Sequence, residues 1–380
     1  MMRWIAGWTA VALLAVGAAA DAEAPAGEAW ETIAPYTKPP AEFAGDVGSY
    51  RSPLVFDDGT PVRTPEDWRR RREEILSYWH KVMGPWPPLV RDPAIEVLAS
   101  GRREDFTQKK VRVPIGEGRA TDGYLLVPDG KGPLPAALVV YYDPETGAGL
   151  VPEKETRAFG YGLVKRGFVS LCIGWPRDYT DGGGAQVQPL SRLAQVAANA
   201  YEAMARLPEV DGERVGVVGH SFGGKWAMFA AALHEKFALC ATSDPGIVFD
   251  EKRPNVNYWE PWYLGFEAGR TRKRGVIRDE SPRTGAYKRL VADGRDLHEL
   301  HALICPRPFL VSGGAEDRPE RWRALNHALA VNRLLGAGHR VAMTNRQGHG
   351  PTPESNAVLY AFFEHFLKAV SYTHLTLPTN

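Results

Sequence analysis

A strand, a glycine-framed turn and a helix follow one another directly between residues 215 and 233, and this succession constrains the fold most strongly. The Val-rich run Val215–Val218 is typical of a buried strand. It ends in the G-x-S-x-G pattern Gly219-His-Ser-Phe-Gly223, and the Ala-rich stretch after it favours a helix. Small residues are needed there because a serine on a sharp strand-to-helix corner brings backbones close together. The pattern predicts a nucleophile elbow, with the Ser221 hydroxyl pointing out of the sheet and the first helix amides facing any oxyanion that forms.

Strands and helices alternate over the rest of the chain, on both sides of this elbow. Apolar runs predict strands at 110–114, 122–127, 136–142, 168–173, 238–242, 308–312 and 340–344. Helical patterns lie at 64–84, 153–165, 191–207, 321–335 and 354–370. This alternation is typical of an α/β fold, here a mostly parallel doubly wound sheet with helices on both faces. The first two strands are expected to be antiparallel at the sheet edge, and an insertion (about 246–300) is expected over the active site.

The amino-terminal segment, residues 1–20, is predicted to be a signal peptide that is removed. Arg3 gives it a positive start, Trp4–Val16 an apolar run, and Ala18-Ala19-Ala20 a small-residue cleavage site. The apolar run is shorter than the ~20 residues that span a bilayer. We therefore expect a periplasmic or secreted protein with no membrane partner after cleavage.

Three further segments are expected after that peptide. Residues 21–108 are interpreted as an N-terminal arm and helix packed on the core, and residues 109–370 as the catalytic domain. The last ten residues, 371–380, do not continue the helix before them and are interpreted as a non-native tail.

The balance of charges argues against a nucleic-acid partner. The chain has 46 Lys and Arg against 45 Asp and Glu, a net charge of +1, so no strong field favours a polyanion. The run of arginines in helix 64–84 is interleaved with Glu73 and Glu74, which is typical of a solvated helix face.

Cysteine and histidine placement gives no sign of a cofactor. The three cysteines are Cys172, Cys240 and Cys305, and each falls in or beside a predicted buried strand, where a thiol packs as a small hydrophobic group. His298 and His301 have ligand-like spacing, but no third ligand stands out beside them. Neither a metal nor another cofactor is therefore expected.

Two loops after the elbow supply candidates for the base and acid that a serine nucleophile needs. His349 stands between glycines directly after the last predicted strand, the position of the base in a Ser–acid–His chain order. Asp317 follows the strand before it, in Gly313-Gly-Ala-Glu-Asp317, and is predicted to be the acid. The neighbouring Glu316 is expected to be solvated.

Backbone amides at two places are expected to form the oxyanion hole. One is the N–H of Phe222, the residue after the serine. The other must come from the loop after strand 136–142, where Tyr142 or Asp143 can donate and Pro144 has no N–H to give.

Four motifs carry a resemblance to a known group of enzymes. They are Met83-Gly-Pro85 at the end of the Trp- and Arg-rich helix, Gly219–Met228, Ala238–Gly246 and Asp296–Pro308. Over roughly residues 64–369 the chain resembles α/β-hydrolases of the carbohydrate-esterase kind, especially glucuronoyl esterases (carbohydrate esterase family 15) and acetyl xylan esterase-like hydrolases. The resemblance implies the α/β-hydrolase fold.

The same resemblance bears on three site residues. Lys225 stands where the family has a lysine that contacts the uronate sugar, which implies a substrate contact. Phe222 replaces the family's arginine after the serine, a departure from the family pattern. Many members place the acid after the strand that follows the elbow helix, and Asp244 is at that place here, as the alternative to Asp317.

Aromatic residues suggest where a substrate would bind. The insertion holds Tyr258, Trp259, Trp262 and Tyr263, and Trp175 and Arg177 follow the strand before the elbow strand. Flat rings stack on sugars and guanidinium groups hold carboxylates or hydroxyls, so Trp175, Arg177, Trp259 and Trp262 are candidate substrate contacts. Packing of the insertion onto the domain would also account for the rings.

Together these patterns predict a secreted serine carboxylic ester hydrolase with a Ser-His-Asp triad and an acyl-enzyme. Its substrate would be a small-molecule or polysaccharide ester, namely a glucuronoyl or acetyl ester of plant or algal polysaccharide. The alternative is a prolyl oligopeptidase-type serine peptidase, although only about 90 residues precede the core, too few for that group's propeller.

Overall fold

Nine strands form one mixed sheet in the computed structural model, which describes residues 27–176 and 187–368. The strands are β1 (Glu96–Arg103), β2 (Phe106–Gly116), β3 (Arg119–Pro128), β4 (Leu134–Val140), β5 (Val169–Ile173), β6 (Val210–His220), β7 (Leu239–Ser243), β8 (Phe309–Gly313) and β9 (Val341–Asn345). Their order across the sheet is β1-β2-β3-β5-β4-β6-β7-β8-β9. The proposed signal peptide, the proposed tail and Arg177 lie outside the described residues.

Strand direction follows from the connections. β1, β2 and β3 form an antiparallel meander, and β3 joins β5 in antiparallel fashion. From β5 to β9 all neighbours are parallel, because each connection passes through a helix. The predicted mostly parallel sheet with two antiparallel strands towards its edge is confirmed. The outermost strand, β1, was not predicted, since seven of its eight residues are exposed and leave no apolar alternation to read.

Helices cover both faces of the sheet. They are α1 (Glu28–Ile33), α2 (Pro65–Met83), α3 (Pro144–Gly147), α4 (Phe159–Val164), α5 (Pro189–Met204), α6 (Phe222–Leu233), α7 (Gly285–Ala292), α8 (His298–Ile304), α9 (Trp322–Leu334) and α10 (Pro353–Lys368). One buried cluster joins the sheet to α2, α5, α6, α8 and α9, and a second joins its other face to α1, α4 and α10. None of the helices in the described ranges has the length and apolar character that crossing a membrane requires.

The predicted helix 153–165 is broken in two. Residues Pro152–Arg157 form a 3-10 helix, and α4 begins only after Ala158, which has φ −79° and ψ 55°. The second half has the sequence Phe-Gly-Tyr-Gly, and glycine disfavours a continuous helix. Gly160 and Gly162 are required there because a β-carbon would overlap the Cys172 thiol or the Tyr360 ring.

Helix α2 has the predicted start and stop. The Thr64 side chain accepts from the Asp67 amide and the Asp67 carboxylate accepts from the Thr64 amide, which makes a capping box. Its buried stripe includes Trp68, Ile75 and Trp79 at helical spacing, and the Trp79 indole donates to Glu299 on α8 at 2.8 Å. The solvated-face interpretation is wrong for Arg71, which is buried and pairs with Asp57 at 2.8 Å, whereas Arg69 and Arg70 are exposed.

The insertion between β7 and α8 packs on the elbow helix. It includes α7 and otherwise has irregular backbone. The Tyr258 ring stacks on Phe229 of α6 with centroids 6.3 Å apart, and its hydroxyl donates to the Gly246 carbonyl at 2.8 Å. This packing brings the insertion to the carboxyl ends of the parallel strands, where the predicted site residues lie.

Candidate active site

The turn between β6 and α6 holds Ser221 at φ 53° and ψ −110°, a conformation that non-glycine residues rarely adopt. Its amide donates to the Ser243 carbonyl on β7 at 2.8 Å, which fixes the strained residue from outside the turn. A β-carbon on Gly219 would overlap the backbone of Gly223, and one on Gly223 would overlap the Val140 carbonyl. The G-x-S-x-G spacing is therefore a steric requirement of this corner.

Ser221, His349 and Asp244 form one line of hydrogen bonds. The Ser221 Oγ lies 2.9 Å from Nε2 of His349, and Nδ1 of the same ring lies 2.7 Å from Oδ2 of Asp244. With the proton on Nδ1, that N–H donates to the carboxylate and Nε2 is left to accept from the serine hydroxyl. This is the geometry that activates a serine nucleophile.

The Asp244 carboxylate is buried and held from its other side by a loop. Asp244 follows β7 at φ 49°. Its Oδ1 accepts from the amides of Glu316 at 3.0 Å and Asp317 at 2.9 Å. A carboxylate with several charge-assisted acceptor bonds is fixed in one orientation, here towards His349.

Asp317, the first choice for the acid, does not contact His349. Its Oδ2 accepts from the Gly246 amide at 2.9 Å and its Oδ1 from the Ile247 amide at 2.6 Å. Desolvation by burial, with the nearby charge of Asp244, raises the pKa of Asp317 to about 6. The structure therefore brings the alternative acid, Asp244, to the histidine, because the loop after β8 turns its amides rather than its carboxylate towards that ring.

The neighbouring Glu316 is also not where it was expected. It is buried, with 4% of its surface exposed. Its carboxylate accepts from the Arg253 guanidinium and from the Asn255 side-chain amide, each at 3.0 Å. The prediction that it is solvated is wrong, since the insertion folds over it and supplies these partners.

Lys225 is likewise buried rather than presented to a substrate. Only 2% of its surface is exposed, and its ammonium donates to the carbonyls of Pro245 and Asn255. The rings of Tyr258 and Tyr263 lie 4.9 and 5.4 Å from its nitrogen. Desolvation lowers the pKa of Lys225 to about 8. Lys225 therefore links α6 to the insertion through these contacts.

Several backbone amides at the elbow have no acceptor within the described ranges. They include Phe222 and Gly223 at the start of α6, and Tyr142 and Asp143 after β4. A β-carbon on Gly223 would be only 3.4 Å from Cα of Tyr141, so the two segments are in close contact beside Ser221. Phe222 with Tyr142 or Asp143 therefore stays the predicted pair of oxyanion donors.

Aromatic rings cover this end of the elbow. The Phe222 ring stacks on Tyr142 with centroids 4.5 Å apart and on Trp175 with centroids 5.4 Å apart. Tyr142 is 47% exposed and Trp175 is half-buried. Phe222 itself is buried, with 1% of its surface exposed, so it supports these two rings from within.

The two tryptophans of the insertion differ. Trp259 is buried, and its indole donates to the Gly275 carbonyl at 2.8 Å, so it packs the insertion and does not face a substrate. Trp262 is half-buried, and the Arg274 guanidinium lies over its ring at 5.4 Å. Of the candidate stacking rings, Trp175 and Trp262 keep exposed surface.

Arg346 is a residue of this site that sequence reasoning missed. It donates to the carbonyls of His349 and Gly350, both at 2.7 Å, and of Ser312 at 2.8 Å. A single guanidinium thus closes the loop that carries the histidine and ties it to β8. An arginine three residues before a loop histidine was the available signal.

His220, His298 and the three cysteines are buried. His220 packs beneath the elbow, as expected, with Nδ1 3.1 Å from the Ser243 carbonyl and its ring 4.8 Å from that of His349. Burial lowers the pKa of His220 well below the usual range. The three cysteines are buried and free, as predicted. His298 donates from Nε2 to the Arg51 carbonyl at 2.6 Å.

The sequence is similar to esterases of carbohydrate polymers. A model of the FrsA-like esterase family matches residues 96–249. 4-O-methyl-glucuronoyl methylesterase 1 of Phanerochaete chrysosporium is 23% identical over 366 residues, which covers 87% of this chain and 73% of the relative. 4-O-methyl-glucuronoyl methylesterase of Phanerochaete carnosa is 22% identical, covering 90% and 86%.

Solved structures show the same fold. A glucuronoyl esterase from Solibacter usitatus has a TM-score of 0.67 at 19% identity, covering 84% of this chain and 97% of that one. A promiscuous family 15 carbohydrate esterase from a marine bacterial metagenome has a TM-score of 0.64 at 19% identity, covering 85% and 98%. The chain therefore has the fold of these α/β-hydrolases, and it is similar to glucuronoyl esterases while distant from them in sequence.

Proposed function

We propose that this protein is a serine carboxylic ester hydrolase that cleaves carbohydrate esters through an acyl-enzyme. The observation that carries the proposal is the line of hydrogen bonds from Ser221 through His349 to Asp244, at 2.9 and 2.7 Å. Signal-like sequence in residues 1–20 supports export to the periplasm or beyond, where polysaccharides are found.

In the first half of the reaction, the Ser221 oxygen attacks the ester carbonyl carbon while His349 Nε2 takes the hydroxyl proton. The carbonyl oxygen becomes an oxyanion, for which the amides of Phe222 and Tyr142 are the donors. Asp244 stabilises the imidazolium and keeps Nδ1 protonated. His349 then gives its proton to the leaving alcohol, and the acyl group stays on Ser221.

Deacylation repeats these roles with water as the nucleophile. His349 takes a proton from the water, whose oxygen attacks the acyl carbon, and the proton returns to Ser221 as the carboxylic acid leaves. Each half-reaction needs the ring of His349 to stay in one plane, which the bonds to Asp244 and Arg346 support.

The substrate class follows from the surroundings of the serine. The rings of Tyr142 and Trp175, which pack on the buried Phe222, offer apolar faces of the kind that sugar rings pack against. The similar proteins reported above are esterases of glucuronoyl groups, and another solved structure, a putative acetyl xylan esterase from Bacteroides fragilis, has a TM-score of 0.54 at 15% identity. We infer glucuronoyl or acetyl esters of polysaccharides. None of these proteins is a peptidase, so the prolyl oligopeptidase alternative gains no support.

A substrate panel with the Ser221→Ala variant tests the proposal. Wild type should hydrolyse benzyl glucuronate or acetylated xylan, and it should be labelled by a fluorophosphonate probe; Ser221→Ala should lose both activities while its circular dichroism stays unchanged. Ser100→Ala, on the exposed strand β1, is the matched control and should behave as wild type. Ester hydrolysis that survives in Ser221→Ala, or cleavage of a proline-containing peptide in place of the esters, would contradict the proposal.

A further inference from the structure

The burial of Lys225 leaves the rim of the site without the cation that was expected to meet a sugar. The Lys225 ammonium donates to two backbone carbonyls, and the Phe222 side chain carries no charge. Two arginines on other segments, Arg157 and Arg274, approach the same end of the elbow. A series of ring contacts and hydrogen bonds connects each of these two arginines to the elbow.

Arg274 reaches the elbow from the insertion. Its side chain is exposed, and its guanidinium lies 5.4 Å from the centre of the Trp262 ring. The Trp262 ring lies 6.1 Å from Tyr263, whose ring lies 6.1 Å from Phe222. The cation is thus placed at the outer end of a row of rings that begins next to Ser221.

Arg157 approaches from the opposite segment, after β4. Its Nη1 donates to the Tyr141 hydroxyl at 3.4 Å, and Tyr141 stacks on His220 with centroids 6.4 Å apart. His220 in turn lies against His349. Arg157 is half-buried, so part of its guanidinium faces the solvent at this side of the site.

Both chains of contacts lead to one ring, that of Tyr142, because Tyr141 packs edge-on against it with centroids 5.0 Å apart and Phe222 stacks on it. Desolvation is the largest influence and raises the pKa of Tyr142, while the charges of Arg274 and Arg157 both oppose that rise. Tyr142 stacks directly on Phe222, so both positive charges are felt beside the nucleophile. Two positively charged guanidinium groups close to one exposed ring favour the binding of a negatively charged ligand.

Neither arginine has a carboxylate within ion-pair distance in residues 27–176 and 187–368. Other arginines of the insertion do: Arg253 pairs with Glu316 at 3.0 Å, and Arg272 with Glu260 at 3.0 Å. The insertion therefore neutralises the guanidinium groups that hold it together, while Arg274, like the exposed Arg278, has no ion-pair partner within the described residues.

We infer that Arg157 and Arg274 form an anion-binding rim, which selects carbohydrate esters that carry an ionised group on the sugar next to the esterified one. A carboxylate or a sulfate has the oxygen geometry that a guanidinium binds through two parallel hydrogen bonds. The inference rests on the proposed function and names its substrate class: esters of acidic polysaccharides, in which the scissile bond lies beside a free anion.

The test compares disaccharides that share one methyl glucuronate ester and differ in the neighbouring sugar: glucuronate, glucose, or glucose 6-sulfate. Wild type should have a KM for the two anionic compounds about three- to tenfold below that for the glucose compound, a preference that high salt reduces. Arg274→Ala and Arg157→Ala should each remove most of that preference while kcat on the glucose compound stays within about twofold. Arg278→Ala, an exposed arginine of the same insertion, is the matched control and should keep the preference.

Binding of the three intact ester disaccharides to the inactive Ser221→Ala protein, measured by calorimetry, separates this inference from the proposed function. Tighter binding of the anionic compounds that is lost in the double variants with Arg274→Ala or Arg157→Ala supports the rim even if hydrolysis fails. Equal affinity for the anionic and neutral compounds, or a preference that both arginine variants retain, overturns it. The carboxylate and sulfate compounds show which anion the rim prefers.

Discussion

Two buried carboxylates lie at the ends of neighbouring parallel strands, and only one of them reaches the histidine. Asp244 follows β7 and accepts from His349 Nδ1, whereas Asp317 follows β8 and accepts from the amides of Gly246 and Ile247. Both are fully buried and both stand where an α/β-hydrolase can place its acid. What separates them is the path of the backbone after each strand, since Asp244 takes φ 49°.

The two loops hold each other's carboxylate in place. Amides of the loop after β8, from Glu316 and Asp317, bind Asp244, and amides of the loop after β7 bind Asp317. Asp317 is on this account a positioning residue, which acts on catalysis through Asp244. We infer that a carboxylate at a strand end can help to orient the triad acid without contacting the histidine itself.

Replacing Asp244 should have the largest effect. Asp244→Asn keeps the shape but removes the acceptor that fixes the Nδ1–H tautomer, and the loss in kcat should be about 10⁴-fold, as in serine-protease triads. Steady-state kinetics on a small p-nitrophenyl ester measures it. A loss below about tenfold would show that another carboxylate can take over the role.

Replacing Asp317 should have a smaller effect on rate and a clear one on stability. In Asp317→Asn one side-chain atom that accepts an amide N–H becomes an NH₂ donor, which should cost about 1–3 kcal/mol in the free energy of unfolding. We expect kcat to fall about 10- to 100-fold, because Asp244 loses its fixed partner loop. Glu320→Gln, at a half-buried position close by in sequence, is the control for denaturant unfolding and kinetics.

Replacing Lys225 should leave the chemistry nearly intact and change how stability depends on pH. Its pKa, lowered to about 8 by desolvation, lies below the usual 10.5, so between these values the unfolded chain binds a proton that the folded chain does not. This contribution to stability is present above 10.5 and is lost as pH falls through 8. The Lys225→Met variant has no titrating group at this position and so lacks this pH-dependent contribution to stability.

The difference in unfolding free energy, wild type minus Lys225→Met, should therefore rise by up to about 3 kcal/mol from pH 7 towards pH 11. On a small ester kcat/KM should change less than about threefold. A difference that is flat with pH would contradict the buried position, and a large loss confined to sugar esters would restore Lys225 as a substrate contact.

The local sequence was sufficient to predict those site residues whose positions are set by their immediate neighbours in the chain. Glycine spacing predicted the elbow at Ser221, and a glycine-flanked loop after the last strand predicted His349, because crowding and strand order leave few options. The choice between Asp244 and Asp317 was not local, since it depends on how two loops 70 residues apart bind each other's amides. The same holds for Lys225, whose partners at Pro245 and Asn255 are set by the folding of the insertion.

The most direct test of the triad is the rate at which a fluorophosphonate modifies Ser221, followed by mass spectrometry of the modified peptide in three proteins. Wild type should be modified at Ser221 alone, Asp244→Asn about 10³- to 10⁴-fold more slowly, and Asp317→Asn only about 10- to 100-fold more slowly. Modification of a residue other than Ser221, or a slower reaction in Asp317→Asn than in Asp244→Asn, would contradict the account of how this site works.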